Sequence, residues 1–445
     1  MKITGRIIIA DSLMRELNIP FHKYIMVRSG SLKVYTELVV SNKLSGNYEL
    51  SSDLAQRLNI HSRKKLLIRY DHLFDMLHLG PTIGILTTAL RNESEYEPTS
   101  LQAELIFLSK IANTLPGQIY IFTPSSINWS NLTTRGYYYR QTTADRGIWL
   151  SAIFPLPDVV YDRVSTRKGE LRTQIRDAKH QLMSMENIKY FNPSFLNKWK
   201  VHQIMMTNPE LHQYLPETRE LTQDNFEHML IKYPVLYLKP GNGSLGMGII
   251  RVSSESNGGL KYVVHRRKRI RGQAESAKQL MSKTKAYRSD RPYIVQQGIA
   301  LATFRGRPFD LRIIFQKNGQ GKWQISKKFV RLAPPGSSVA NLSSGGSVET
   351  SRKVMNALFK NKEIIEKKNQ EIYNFCLTLA NTLELSSGQI FGELGLDIGI
   401  DKHGELWLIE VNSKPRKTTE TGFSKIIMKN TFKRPLEYST YLAGF

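Results

Sequence analysis

The sequence predicts an α+β chain in three parts: a small β-rich N-terminal domain (1–95), a short α/β unit (96–165) and a larger C-terminal α+β domain (166–445). The last divides into a glycine-rich lobe, about 200–297, and a second lobe, about 298–425. Three observations predict this. Up to residue 90, short apolar and β-branched runs are separated by Gly, Ser, Asn and Asp. Between 100 and 155 one helical pattern alternates with strands. From Tyr233 onward strands alternate with glycine-rich turns, and a long amphipathic helix precedes two closing strands. A chain of 445 residues suits several domains at roughly 100–200 residues each.

In the N-terminal part, IMVRSG, LKVYTELVV, KKLLIRY and GPTIGIL read as strands of a small barrel or sandwich. Ser51 or Ser52 caps a short helix, SSDLAQRL. LQAELIFLSKIANTL has helical spacing, and Pro116-Gly117 turns the chain into the strand QIYIFTP; GIWLSAIF is a second strand. KGELRTQIRDAKHQLMSMEN is charged and helical. Residues 363–385 carry Ile364, Ile365, Ile372, Phe375, Cys376, Leu379 and Leu383 at helical spacing, with Gly388 as the C-cap. Cys376, the single cysteine, therefore reads as a core thiol rather than a nucleophile, and no internal disulfide is available. GELGLDIGI and LWLIEVN form a final hairpin around the turn DKHGE.

No run approaches the ~18 apolar residues of a membrane span. The apolar segment after Met1 is too short for a signal peptide, so synthesis in the cytoplasm is expected, with later deposition on an assembled structure left open. The formal charge of +25 fits a polyanionic partner such as nucleic acid, a wall polymer or an acidic peptide. It equally fits a phosphate site on a generally basic surface.

Within PVLYLKPGNGSLGMGIIR, Gly241, Gly243 and Gly246 match G-x-G-x-x-G, and Gly248 adds a fourth glycine. A dinucleotide-binding loop would open a helix and be followed about 20 residues on by an acid. Here a strand follows, and the later segment is HRRKRIR. A P-loop needs Gly-Lys-Ser/Thr, and Gly248 precedes Ile249. The kinase motifs H-R-D-x-x-x-x-N and D-F-G are absent. What remains is strand, glycine hairpin, strand. Its N–H groups, including that of Ser244, can approach phosphate oxygens without a Cβ in the way, and Lys239 stands just before it. A plain surface hairpin is the alternative.

Asp397 lies on the first strand of the final hairpin, and Glu410 and Asn412 on the second. Period-two alternation puts Glu410 and Asn412 on one face, with Asp397 opposite them. Two carboxylates and an amide oxygen suit Mg²⁺ bridging nucleotide phosphates, and Mn²⁺ would fit as well. Two solvent-facing acids are the alternative; the apolar neighbours Leu406, Trp407, Leu408, Ile409 and Val411 argue against it. Between loop and hairpin, YIVQQGI reads as a strand and inter-lobe hinge. FDLRIIF puts Asp310 and Arg312 on one strand face, where Arg312 can neutralise a phosphoryl group or simply pair with Asp310. VRLAPPGSSVANLSSGGS offers Arg331, Asn341, Gly345 and Gly346 in an active-site or merely flexible loop. The run RRKRIR at 266–271 reads as a charged edge strand or a contact for nucleic acid or acidic substrate.

In order, PLPDVVYDRV, FLNKWKVHQIM, YLPET, YLKPGNGSLGMGIIRV, YIVQQGIAL, GRPFDLRIIFQ, NLSSGG and GELGLDIGI…LWLIEVNSKP resemble the ATP-grasp superfamily. The nearest resemblance is to the YheC/YheD family of endospore coat-associated proteins, with specific motifs from about residue 155 to 420. The resemblance implies two lobes gripping ATP. It implies that Lys198 (Lys200 competing) and Lys239 contact phosphate, and that Gln296, Gln297 and Ile299 belong to the linker whose backbone binds adenine. Many relatives carry Glu where this chain has Gln296 and Gln297. It further implies that Asp397, Glu410 and Asn412 hold Mg²⁺, and that Arg312, Arg331 and Asn341 lie near the transferred phosphate and acyl substrate. The implied reaction is carboxylate–amine (or carboxylate–thiol) ligation through an acyl phosphate. An acidic or peptide-like substrate, such as a coat or cell-envelope component, is the implied partner, and specific nucleic-acid binding is not expected. A structural coat protein that keeps only nucleotide binding is the rival.

Overall fold

The computed structural model describes residues 3–44, 47–61, 66–91, 97–143, 146–243, 247–256, 258–266, 269–288, 292–335, 346–419, 422 and 424–445. Ser244, Gly246, Asn341 and Gly345 lie outside the described residues.

Four sheets follow one another along the chain. The first is neither barrel nor sandwich. It is a six-stranded mixed sheet, in which Arg6–Ala10 pairs parallel with Leu32–Ser41 and Tyr24–Ser29 pairs parallel with Met76–Gly80. The helices Asp11–Glu16 and Ser52–Arg57 contribute Leu13, Met14 and Leu54 to its core, so the apolar face is covered without closing the sheet. Ser51 occupies the N-cap position of the second helix, but its hydroxyl accepts from Arg6 N at 2.9 Å instead of capping the helix.

Thr82–Leu86, grouped by sequence with the N-terminal strands, belongs to the second sheet. It pairs parallel with Gln118–Phe122 and with Val159–Asp162. Both of its faces are buried, which is why it reads as a continuous apolar run. Asp158 fastens the two sheets. It accepts from Arg28 at 2.9 Å, from His78 at 2.9 Å and from Thr82 N at 2.8 Å. The charged helical stretch breaks into Arg167–Glu170 and Thr173–Ser184, and the strand Lys189–Phe191 joins this sheet too.

The glycine-rich lobe is an antiparallel sheet ordered Thr218–Glu220, Tyr293–Gln297, Val235–Pro240, Ile250–Ser254, Leu260–Val264, Ile270–Ala274. Leu236, Leu238, Ile250, Val252 and Val264 turn to one face and pack on Phe226, Met229 and Leu280 of two helices. The basic run ends in the edge strand Ile270–Ala274; residues 267–268 lie outside the described residues.

The last sheet is ordered Ser347–Thr350, Trp323–Leu332, Arg307–Lys317, Glu393–Ile400, Leu406–Asn412. Leu394, Leu396, Ile398 and Ile400 alternate onto a core shared with the helix Lys362–Ser387. Cys376 is fully buried there, burial raises its thiol pKa, and Gly388 ends the helix at φ 63°. The helix Lys425–Leu442 packs across from this sheet to the α/β sheet, joining Phe432 and Leu436 to Ile85, Leu105 and Tyr161. Among the described residues no helix is long and apolar enough to cross a membrane.

Candidate functional site

The site forms where the glycine-rich sheet faces the final hairpin. Lys198, His202, Leu215, Lys239, Gln296, Leu408 and Glu410 line a narrow cleft with about 40 Å³ of free space. Lys198 opens a helix whose N-cap, Asn197, accepts from the N–H groups of Trp199 and Lys200. That N-terminus is stapled to the glycine hairpin. Lys198 N donates to Gly241 O at 2.9 Å, and Asn197 Nδ2 donates to Asn242 Oδ1 at 2.9 Å. Lys198 Nζ then bonds Glu410 across the cleft. Lys200, one helical step away, is exposed, so Lys198 is the lysine in the cleft.

Lys239 is the penultimate residue of the strand Val235–Pro240, and its ammonium bonds Gln296 Oε1. Burial, with the nearby Lys198 charge, pulls Lys239 down to about 8. Gln296 is buried and also donates to Thr218 Oγ1 at 2.9 Å. The linker is less open to adenine than its sequence suggests. The N–H of Gln297 is donated to Glu217 O at 2.9 Å and that of Gly298 to Val235 O at 2.8 Å, both extending the sheet. Among the described residues only the Ile299 N–H in this linker has no partner. At the hairpin, Gly248 adopts φ 79°, its N–H donates to His265 O, and a Cβ on Gly243 would meet the Pro240 ring at 2.5 Å.

On the other side, strand register assembles one polar sheet face. Asp397 pairs with Glu410, Gly395 with Asn412, Arg312 with Asp397 and Asp310 with Arg331. A bulge between Asp397 and Ile398 accommodates Ile409 and lets Leu408 return to the core face. Asp397 is the hub. Its Oδ1 takes Arg312 at 2.5 Å and its Oδ2 takes Arg331 at 2.8 Å. Arg331 also bonds both oxygens of Asp310, at 2.7 and 2.9 Å. Burial opposes ionisation of Asp397, but Arg312 and Arg331 hold its carboxyl below the ordinary range. Burial pushes Asp310 up to about 7, against the pull of Arg331.

Sequence reasoning missed Glu170. Its Oε1 meets Lys179 at 3.0 Å and Lys414 at 2.5 Å, and its Oε2 accepts from Phe195 N at 3.1 Å. Lys414 also reaches Asp162 at 2.7 Å. One carboxylate thus ties the segment entering the Lys198 helix to the segment leaving Asn412. No motif flags it, because its partners are 9 to 244 residues away. Glu170→Ala leaves Lys179 and Lys414 buried with Asp162 as their remaining anion. We expect a stability loss of about 3 kcal/mol, read as a lower denaturant midpoint at unchanged slope.

Residues 187–442 match the model of the family described as YheC/D like ATP-grasp. Endospore coat-associated protein YheD of Bacillus subtilis (strain 168) is 31% identical over 407 residues, covering 88% of this chain and 85% of that protein. Endospore coat-associated protein YheC of the same organism is 23% identical over 365 residues, covering 81% and 96%. Among solved structures, D-alanyl-alanine synthetase A from Vibrio cholerae O1 biovar eltor is similar at a TM-score of 0.48 and 14% identity, over 82% of this chain and 99% of that one. With the family model spanning both faces of the cleft, the chain belongs to the YheC/D-like ATP-grasp family.

Proposed function

We propose that the protein is an ATP- and Mg²⁺-dependent ligase that joins a carboxylate to an amine or thiol through an acyl phosphate, in association with the endospore coat. The observation that carries this reading is the meeting of Lys198, Lys239, Gln296 and Glu410 in one cleft between the glycine-rich sheet and the final hairpin. The polar face of Asp397, Arg312 and Arg331 continues from it.

The donor set fits a hard divalent cation: the carboxylates of Asp397 and Glu410 sit on directly paired residues, and Asn412 shares their face. Among the described residues no group of three or more His, Cys, Asp or Glu side chains could hold a metal ion, and on this reading the Asn412 amide oxygen is the third donor. Bound there, Mg²⁺ would screen the phosphate charges. The chain's own residues do the rest. Lys198 and Lys239 give up Glu410 and Gln296 and turn to the phosphates. Leu215 and Leu408 offer apolar walls to the base. Arg312, a planar fork of donors, turns from Asp397 to the transferring phosphoryl group. Gly243 and Gly248 let the hairpin backbone close over it.

ADP release that requires an added carboxylate and amine tests the reaction; ADP release indifferent to both overturns it. Nucleotide affinity also carries a pH mark. Lys239 binds phosphate as the ammonium form, which is lost as pH rises through about 8. Affinity for Mg·ATP should therefore fall above that pH, and Lys239→Arg should remove the fall.

One observation favours a second reading, a coat protein that binds nucleotide without ligating. Both oxygens of Asp397 are already satisfied by arginines, as a structural carboxylate would be. Mg·ATP binding with no ADP release under any substrate mixture would select it.

A further inference from the structure

We propose that the open face of the glycine-rich sheet binds an acidic polypeptide, which on the ligase reading supplies the reacting carboxylates. One face of this sheet is covered by helices. On the other, register aligns Gln296, Tyr237, Arg251, Val263 and Arg271 across five strands. Lys239 and His265 flank that row by two residues, on the same face. Burial, then the charges of Arg269 and Arg251, lower the His265 pKa. Among the described residues, His265 Nε2 is buried without a partner. No residue of this face within the five strands is acidic. The acids around this face stand at its rim: Glu220 on the sixth strand, opposite Ile294, Glu410, engaged by Lys198 across the cleft, and Glu255, engaged by Lys261 and Gln273 at the far end.

Edge protection explains Arg271, on the edge strand, but not Arg251, on an interior one. The row is also too long for one small anion. Tyr237 to Arg271 is three strand spacings, roughly 14 Å. Arg251 and Arg271 stand two spacings apart, about 9.6 Å. Alternate side chains of an extended peptide recur about every 6.8 Å, a difference that flexible Arg and Glu side chains can span. A single-stranded nucleic acid would call for a stacking platform, and Tyr237 is the one Phe, Tyr or Trp on this face among the described residues. The cationic row leads to Lys239, so an acidic chain lying on it delivers side-chain carboxylates toward the cleft.

The test uses the full chain, fluorescent poly-L-glutamate and oligo-dT of equal charge, with Mg·ATP affinity measured separately. Wild type should bind poly-glutamate more tightly than oligo-dT. Arg251→Glu/Arg271→Glu should weaken poly-glutamate binding roughly tenfold or more, with the Mg·ATP affinity shifting far less. Equal poly-glutamate binding by the double variant overturns the proposal. So does oligo-dT binding as tight as poly-glutamate, which would assign the face to nucleic acid. Wild type that binds poly-glutamate but not Mg·ATP upholds the surface and removes the ligase reading; Mg·ATP binding without poly-glutamate binding does the reverse.

Discussion

Glu410→Gln should reduce Mg·ATP-dependent ADP release by roughly a hundredfold or more, the scale of removing one charged group from an electrostatic site. It should leave the fold nearly unchanged. Glu410 is 27% exposed at its side chain, and its partner is the part-buried Lys198. Asp397→Asn should lose the same activity and also destabilise the protein. Its carboxylate is the shared counterion of Arg312 and Arg331, and neither guanidinium is well exposed. Removing one partner of a buried ion pair costs about 3–5 kcal/mol; Arg331 keeps Asp310, so the loss should fall on Arg312. Thermal unfolding of the two variants beside their turnover separates the effects. Full turnover by Glu410→Gln sinks the metal assignment, and wild-type stability of Asp397→Asn would show that Arg312 finds another anion.

Glu393→Ala should give the largest stability loss in the hairpin without touching the cleft. Glu393 is completely buried. It accepts from Tyr161 at 2.5 Å, Arg163 at 2.8 Å and Gln316 at 2.9 Å, and pairs with Lys417 at 2.7 Å. Arg163 also meets Glu104, so the network joins the last sheet to the α/β sheet and its first helix. Deleting Glu393 strands the Lys417 ammonium away from water, for a loss of about 3–5 kcal/mol. Against burial, Lys417 and Arg163 hold Glu393 below its usual 4.5. Its contribution is therefore complete above that pH and disappears as the pH falls through the lowered value. A denaturant midpoint equal to wild type's would overturn this, and Glu393→Gln should lie between the two.

The substitutions at Glu410, Asp397 and Glu393 show where a one-dimensional reading stops. Glu393, Asp397 and Glu410 stand on one hairpin, and the sequence offered Asp397 and Glu410 as equivalent metal ligands while passing over Glu393. That Glu410 and Asn412 face together was legible from period-two alternation, but the bulge that sends Leu408 to the core face was not. Nor were the different roles of the three acids. Tyr161, Arg163 and Lys417 neutralise Glu393, and Arg312 and Arg331 neutralise Asp397, from strands far away in the chain. Glu410 pairs across the cleft with Lys198, the first residue of a helix.

The same division runs through the rest of the molecule. Local chemistry was enough for the helix ending at Gly388, the buried Cys376, the strand–glycine hairpin–strand unit and the final hairpin, since propensity, period and turn residues act over a few positions. It was not enough to assign Thr82–Leu86 to its sheet, to close or leave open the N-terminal sheet, to choose Lys198 over Lys200, or to reveal that the linker N–H groups of Gln297 and Gly298 are already engaged. Each of those depends on which distant backbone or side chain supplies the partner that burial demands, and only the packed chain brings the two together.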